Sequence, residues 1–274
     1  MLAPIAGQGW MMEGESVRIV RFERGGRAVI GILNDGIIYE AEGELFGQLR
    51  PGALVAPVED VRLLTPVRPG KIVAIGLNYL DHILVDGFGR EQPANPIIFL
   101  KPPSSLIGHG ADIVLPSGPE RVESEAELAV VIARKARYVR AGQAADYILG
   151  LTCANDVSAR DYQFADGQWV RAKGFDTFMP LGPYIVTGLR PDNLTVTCRV
   201  NGQVHQESST SKLLFDVPYL IEFVSRVMTL EPGDVILTGT PAHPPRMKPG
   251  DVVEIEIEGV GTLRNPVVAE ELPS

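Results

Sequence analysis

Several common functions are excluded by what this chain lacks. Only two cysteines occur in 274 residues, Cys153 and Cys198, too few for a disulfide framework. Both lie in apolar, strand-like runs and read as buried free thiols, and no histidine motif beside either suggests a catalytic cysteine. Basic residues are outnumbered, 25 Lys and Arg against 34 Asp and Glu, and no basic run exists, so a nucleic-acid-binding surface is disfavoured. That acidity does not bar an anionic substrate, because a bound metal and a few lysines attract anions locally. No apolar stretch approaches the length of a transmembrane helix, and the first residues lack the basic segment and apolar core of a signal peptide. The expectation is a cytoplasmic protein with no membrane and no nucleic-acid partner.

What is present is mostly strand pattern. Residues 1–66 read as a small β-rich N-terminal domain, with short strands at Val17 to Phe22, Ala28 to Leu33 and Gly36 to Tyr39. Gly25-Gly26 and Asn34-Asp35-Gly36 supply hairpin signals between them. The segment Thr65-Pro66-Val67-Arg68-Pro69-Gly70 is a natural joint. Residues 67–274 read as a larger domain whose strands do not alternate regularly with helices, which disfavours a doubly wound or barrel α/β fold. One amphipathic helix is predicted: Val217, Leu220, Ile221, Val224, Val227 and Met228 share a face, Asp216 caps the start and Pro218 is tolerated in the first turn. The fold class is therefore mixed α+β and mostly β.

The chemistry concentrates in Glu125-Ala126-Glu127, followed by the apolar run Leu128 to Ala133, and in Asn155-Asp156-Val157-Ser158-Ala159-Arg160-Asp161. Residues two apart on a strand share a face, so Glu125 and Glu127 present adjacent carboxylates at the lip of an apolar interior. Crowded, partly desolvated carboxylates either take up a proton or find a cation. With Asp156 after a second apolar run they offer an oxygen-rich site, and the absence of nearby His or Cys selects Mg²⁺, Mn²⁺ or Ca²⁺ over zinc. The competing reading is a salt-bridged strand edge with Asp156 as a helix N-cap.

Other candidates surround this trio. Of four histidines, His82 has the best setting for acid–base work, just past the strand end in Gly76-Leu77-Asn78-Tyr79-Leu80-Asp81-His82; a loop-capping surface histidine is the plain alternative. Lys101, at the end of Ile97-Ile98-Phe99-Leu100, and Lys173, in Arg171-Ala172-Lys173-Gly174, are candidate anion ligands. Gln163 stands past a helical turn from Asp156 and has an amide to offer the same site. In Leu237-Thr238-Gly239-Thr240-Pro241 the backbone amides and the Thr240 hydroxyl suit a carboxylate, or simply form a strand-to-loop turn.

Taken in order, these segments resemble the fumarylacetoacetate hydrolase family in its two-domain bacterial form. The matching pieces are Gly-Leu-Asn-Tyr-x-x-His (76–82), Ile-Ile-Phe-Leu-Lys-Pro (97–102), Glu-x-Glu-Leu-Ala-Val-Val-Ile (125–132), Asn-Asp-Val-Ser-Ala-Arg-Asp (155–161), Lys-Gly-Phe-Asp (173–176), Val-Asn-Gly (200–202) and Leu-Thr-Gly-Thr-Pro (237–241). The resemblance implies a β-roll of mixed sheets, a homodimer, and Mg²⁺ or Mn²⁺ on Glu125, Glu127 and Asp156. It implies a small 2-oxo or β-diketo acid as substrate, with Lys173, Gln163 and Thr240 at substrate-contacting positions and Lys101 in the matching strand motif. The implied reactions are C–C hydrolysis of acylpyruvates, enol–keto isomerisation of ring-cleavage products, or oxaloacetate-type decarboxylation or tautomerisation. A catalytically silent protein that binds metal and oxo acid is the alternative outside enzymology.

Two departures from the family pattern bear on the reaction. Hydrolytic members commonly carry His-x-x-Glu, whereas Val85 stands three residues after His82, and a valine accepts no proton. Asp86 would share the face of His82 on a helix and replace that glutamate imperfectly. After Gly-Thr-Pro, Ala242-His243-Pro244-Pro245 replaces a glycine-rich turn, and two prolines stiffen the loop.

Overall fold

A computed structural model describes residues 16–85 and 91–271. Strands Arg18–Arg24, Arg27–Asn34, Ile37–Gly43 and Leu49–Pro57 form an antiparallel meander. Its first two hairpins turn at Gly25-Gly26 and Asp35-Gly36, all four with positive φ, as tight right-twisted hairpins require. The fourth strand was not expected, because Pro51, Gly52 and Pro57 interrupt it. It forms at the edge of the sheet, where a missing N–H costs no ladder bond.

The meander is joined to the rest by pairing of Arg18 with Val186 and Ile19 with Ile185. The result is one eleven-stranded sheet that continues through Met179–Val186, Ile148–Asn155, Ala126–Ile132, Val235–Leu237, Ile72–Gly76 and Ile97–Lys101, with Leu106–Ile107 paired to Met179–Val186. A second sheet contains Gln203–Ser209, Thr195–Val200, Val252–Ile257, Gly261–Ala269 and Ile113–Leu115. Both sheets mix parallel and antiparallel pairs, in agreement with a mostly β fold of mixed sheets. The main apolar core, including Val130, Leu151, Val196, Ile255 and Leu263, brings the two together. The predicted helix spans Val217–Val227, with the Asp216 carboxylate accepting from Tyr219 N at 2.9 Å and Pro218 in its first turn.

Register decides where the chemistry collects. Ala126 pairs with Asn155, so Glu125 and Glu127 flank the residue that lies beside the chain leading into Asp156. Val235–Leu237 runs antiparallel to Ala126–Ile132 and parallel to Ile72–Gly76, so both of these strands end beside Glu125 and Glu127. Four chain segments thus meet at one end of the sheet: 76–82, 125–127, 155–156 and 238–240. Every residue of Ala126–Ile132 is buried, which holds its acidic end in place from both faces.

Cys153 and Cys198 are free and buried, and burial pushes both thiols up to about 12. Thiolate is the reactive form. The native protein is therefore expected to resist a thiol-titrating reagent at neutral pH and to show both cysteines after denaturation; fast labelling of the native state would contradict this packing.

Candidate metal centre and active site

Glu125, Glu127 and Asp156 are all buried, and one carboxylate oxygen from each lies within 4.8 Å of the others. They are not a bare acidic cluster. Lys173 Nζ donates to Asp156 Oδ2 at 2.7 Å and also to Glu125 Oε2. Lys101 Nζ donates to Asp156 Oδ1 and, at 3.3 Å, to the Val157 carbonyl. Arg160 donates to Glu125 Oε1, to Glu123 Oε2 at 2.7 Å and to Gln163 Oε1 at 2.6 Å. The Ser158 hydroxyl reaches Glu125 Oε2 at 3.1 Å.

These partners split the acids into two kinds. Burial opposes the charge on Glu125, but Arg160, Lys173 and His82 outweigh it and hold the carboxyl well below its usual range. Glu127 is the reverse: burial first, then the Asp156 and Glu125 carboxylates, push it well above the usual range. Its hydrogen bond comes from Gly239 N at 2.6 Å, a backbone group rather than a cation. Lys173 is raised, since Asp156 and Glu125 more than offset its desolvation. Lys101 is lowered, because burial and the nearby Lys173 prevail over Asp156. An all-oxygen donor set with one acid short of positive charge suits a hard divalent ion held by Glu125, Glu127 and Asp156.

The triad opens into a small cleft. His82, Gln163, Lys173 and Thr240 line it with the three acids. Lys101 is not among the lining residues; its ammonium group is buried against Asp156 and Val157. His82 is buried in the short helix Leu80–Val85 with Nε2 4.0 Å from Glu125 Oε1. Val85 ends that helix with 55 % of its surface exposed, and Asp86 lies outside the described residues.

Apolar groups complete the wall. Trp169 and Phe99 meet edge to face with ring centroids 5.2 Å apart, and both line the cleft. Trp169 packs directly over Gly76: a Cβ there would fall 2.4 Å from its ring. Gly239 has φ +98°, and a Cβ on it would meet Asn78 at 2.8 Å, so the turn that bonds Glu127 needs glycine. One of the amides that seemed available to a substrate carboxylate is therefore taken by a protein carboxylate.

Sequence reasoning gave Arg160, Glu123, Trp169 and Gln206 no role. Arg160 carried a readable signal, since it precedes Gln163 by one helical turn on Arg160–Asp166. Glu123 extends the alternation of Glu125 and Glu127. Gln206 gave none, because its strand is polar and was not expected.

The family model described as fumarylacetoacetate (FAA) hydrolase C-terminal matches residues 71–268, about the whole of the larger part. The chain belongs to the fumarylacetoacetate hydrolase family. A second family model, described as Rv2993c-like, N-terminal, matches residues 17–66. Among family relatives, the mitochondrial oxaloacetate tautomerase Fahd2a of Rattus norvegicus is 44% identical over 77% of this chain and 71% of its own length. The structure of a 5-carboxymethyl-2-hydroxymuconate delta-isomerase from Mycobacterium smegmatis is 46% identical, with TM-score 0.86, over 92% of this chain and all of that one. Maleylpyruvate hydrolase from Sphingobium sp. SYK-6, in complex with manganese(II) and pyruvate, is 30% identical with TM-score 0.77, over 93% of this chain and all of that one. Members of the family are thus named as both isomerases and hydrolases. Among the described residues no helix is long and apolar enough to cross a membrane.

The two kinds of acid predict opposite mutational outcomes. Glu125→Gln leaves Arg160 and Lys173 buried and under-paired and should cost on the order of 3 kcal/mol of stability. Glu127→Gln keeps the acceptor for Gly239 and removes a charge that burial disfavours. A carboxyl whose folded pKa is raised stabilises the fold at low pH and loses that contribution as pH rises through the folded value. Metal-free Glu127→Gln should therefore gain on wild type as pH rises toward neutrality, while losing the rise in melting temperature that Mg²⁺ or Mn²⁺ gives wild type. Thermal melts with and without metal across pH check both signs; an equal metal shift in both proteins would refute the ligand assignment.

Proposed function

We propose that this chain is a divalent-metal-dependent enzyme that interconverts the enol and keto forms of a small 2-oxo dicarboxylic acid, of the oxaloacetate or hydroxymuconate type. One observation carries the reading. His82 faces the triad through Glu125, and that carboxylate is already held by Arg160 and Lys173. A carboxylate so stabilised is a poor proton acceptor, so Glu125 serves as a metal ligand rather than as a base, and His82 is the acid–base group beside it. Tautomerisation moves one proton between carbon and oxygen and needs no nucleophile, a task that an imidazole positioned beside the metal-ligand carboxylates suits.

The remaining residues fit that chemistry. Glu125, Glu127 and Asp156 would hold a divalent ion, which would supply Lewis-acid chemistry to the 2-oxo group. Lys173, kept charged by its acidic neighbours, places a second positive charge where the enolate develops. Gln163 and Thr240 orient the carboxylate, and Trp169 with Phe99 offers a flat apolar wall to a conjugated enol. The likeness to an oxaloacetate tautomerase and a hydroxymuconate isomerase, both above 40% identity, supports the same reading.

The second reading, acylpyruvate C–C hydrolysis, rests on the likeness to maleylpyruvate hydrolase. The two separate in one set of assays. With Mg²⁺ or Mn²⁺, the enol absorbance of oxaloacetate should relax faster with enzyme than without, CO₂ should evolve no faster than with the metal alone, and acylpyruvates should release acid slowly or not at all. His82→Asn should lower kcat about 100-fold while leaving the metal-induced melting shift intact. Faster acid release from acylpyruvates than enol conversion would overturn the isomerase reading. Metal-dependent oxalate binding without turnover of any of these compounds would make the chain a binding protein.

A further inference from the structure

The amide of Gln206 is buried and bridges two parts of the site, the acid-bearing strand and the loop that follows Gly239. Its Oε1 accepts from Ala126 N at 3.0 Å, the residue between Glu125 and Glu127. Its Nε2 donates to the Pro241 carbonyl at 2.7 Å and lies 3.0 Å from Thr240 Oγ1. A backbone N–H only donates and a backbone carbonyl only accepts, so these contacts leave one orientation of the amide. With nitrogen facing Thr240, the Thr240 oxygen accepts the hydrogen bond. Its own hydroxyl hydrogen is then left to point elsewhere, and Thr240 lines the cleft.

The same logic applies to Gln163, which also lines the cleft. Arginine has no acceptor, so Arg160 at 2.6 Å requires the oxygen of Gln163, which leaves the Gln163 NH₂ as the end available to a ligand. Lys173 is a donor in any case.

We propose that Gln206 is a positioning residue that fixes Thr240 as a hydrogen-bond donor, so that Thr240, like Gln163 and Lys173, offers the cleft a donor and favours a carboxylate over its amide. This rests on the reading of the cleft as an oxo-acid site. Gln206 belongs to Gln203–Ser209 in the second sheet, so the outer sheet sets the polarity of a group in the cleft formed at the end of the first. The same residue holds the loop of Pro241 and Ala242 against the strand that carries the acids.

The test is calorimetric binding of oxalate and of oxamate, its monoamide, to the Mn²⁺-loaded protein. Thr240→Val should weaken oxalate about tenfold, the worth of one hydrogen bond to a charged group, and oxamate less than about twofold. Gln206→Met should weaken oxalate to a similar extent, and the double variant no further than either single one. Thr240→Ser, which keeps the hydroxyl, should bind oxalate as wild type does. Equal losses of oxalate and oxamate in Thr240→Val would overturn the donor assignment without any Gln206 variant, even if Gln206→Met fails to fold. Losses that multiply in the double variant would overturn the action of Gln206 through Thr240. If wild type binds no oxalate with Mn²⁺ present, the oxo-acid reading itself falls, and this proposal with it.

Discussion

Burying four carboxylates at one end of a sheet is possible here only because cations are buried with them. Glu123, Glu125, Glu127 and Asp156 lie among Lys101, Lys173 and Arg160, each of these seven nearly removed from water. A buried ion without a partner costs several kcal/mol, so the pairs are obligatory rather than decorative. The distribution is uneven: Asp156 meets two ammonium groups and Glu125 meets a guanidinium and an ammonium, while Glu127 meets a backbone amide. That unevenness leaves one acid of the network short of positive charge, an arrangement that suits a divalent cation.

The sheet supplies the rigidity this arrangement needs. The acids extend from a strand buried on both faces and paired on both sides, and the neighbouring strand ends bring Asp156, Gly239 and the Leu77–His82 segment to the same place. The diproline loop is tied in as well, through the Ser124 N bond to the Pro245 carbonyl at 3.0 Å and the Gln206 bonds to Pro241. Charged groups held by packed strands keep their spacing without reorganising when charge develops, which is the physical basis of electrostatic catalysis.

Much of this was legible from residue types and spacing, and the rest was hidden for identifiable reasons. Glu125, Glu127 and Asp156 could be placed together because each adjoins a wholly apolar strand, and strand periodicity is local. The Val217–Val227 helix announced itself through its apolar face and its Asp216 cap. The strands Leu49–Pro57, Gln203–Ser209 and Gly261–Ala269 did not, because prolines, glycines and polar residues mask the pattern and their formation depends on partners distant in sequence. Lys101 looked like a ligand for a small anion, yet its partner is a carboxylate of the protein, 55 residues away in the chain. Sequence separation also hid the role of Gln206, whose partner Ala126 lies 80 residues away, and the pairing of Arg160 with Glu123 and Glu125, although its spacing from Gln163 was readable.

The seam between the N-terminal meander and the larger part has a consequence for the life of the chain. Arg18 and Ile19 occupy the flank of Met179–Val186, where unsatisfied N–H and C=O groups would otherwise face water. An open strand flank is a template for pairing with other molecules, and proteins commonly hide it. The first four strands cover that flank and move the border of the sheet to Leu49–Pro57, where Pro51 and Pro57 remove N–H groups from the edge; a chain clipped of them would expose the flank of Met179–Val186 instead.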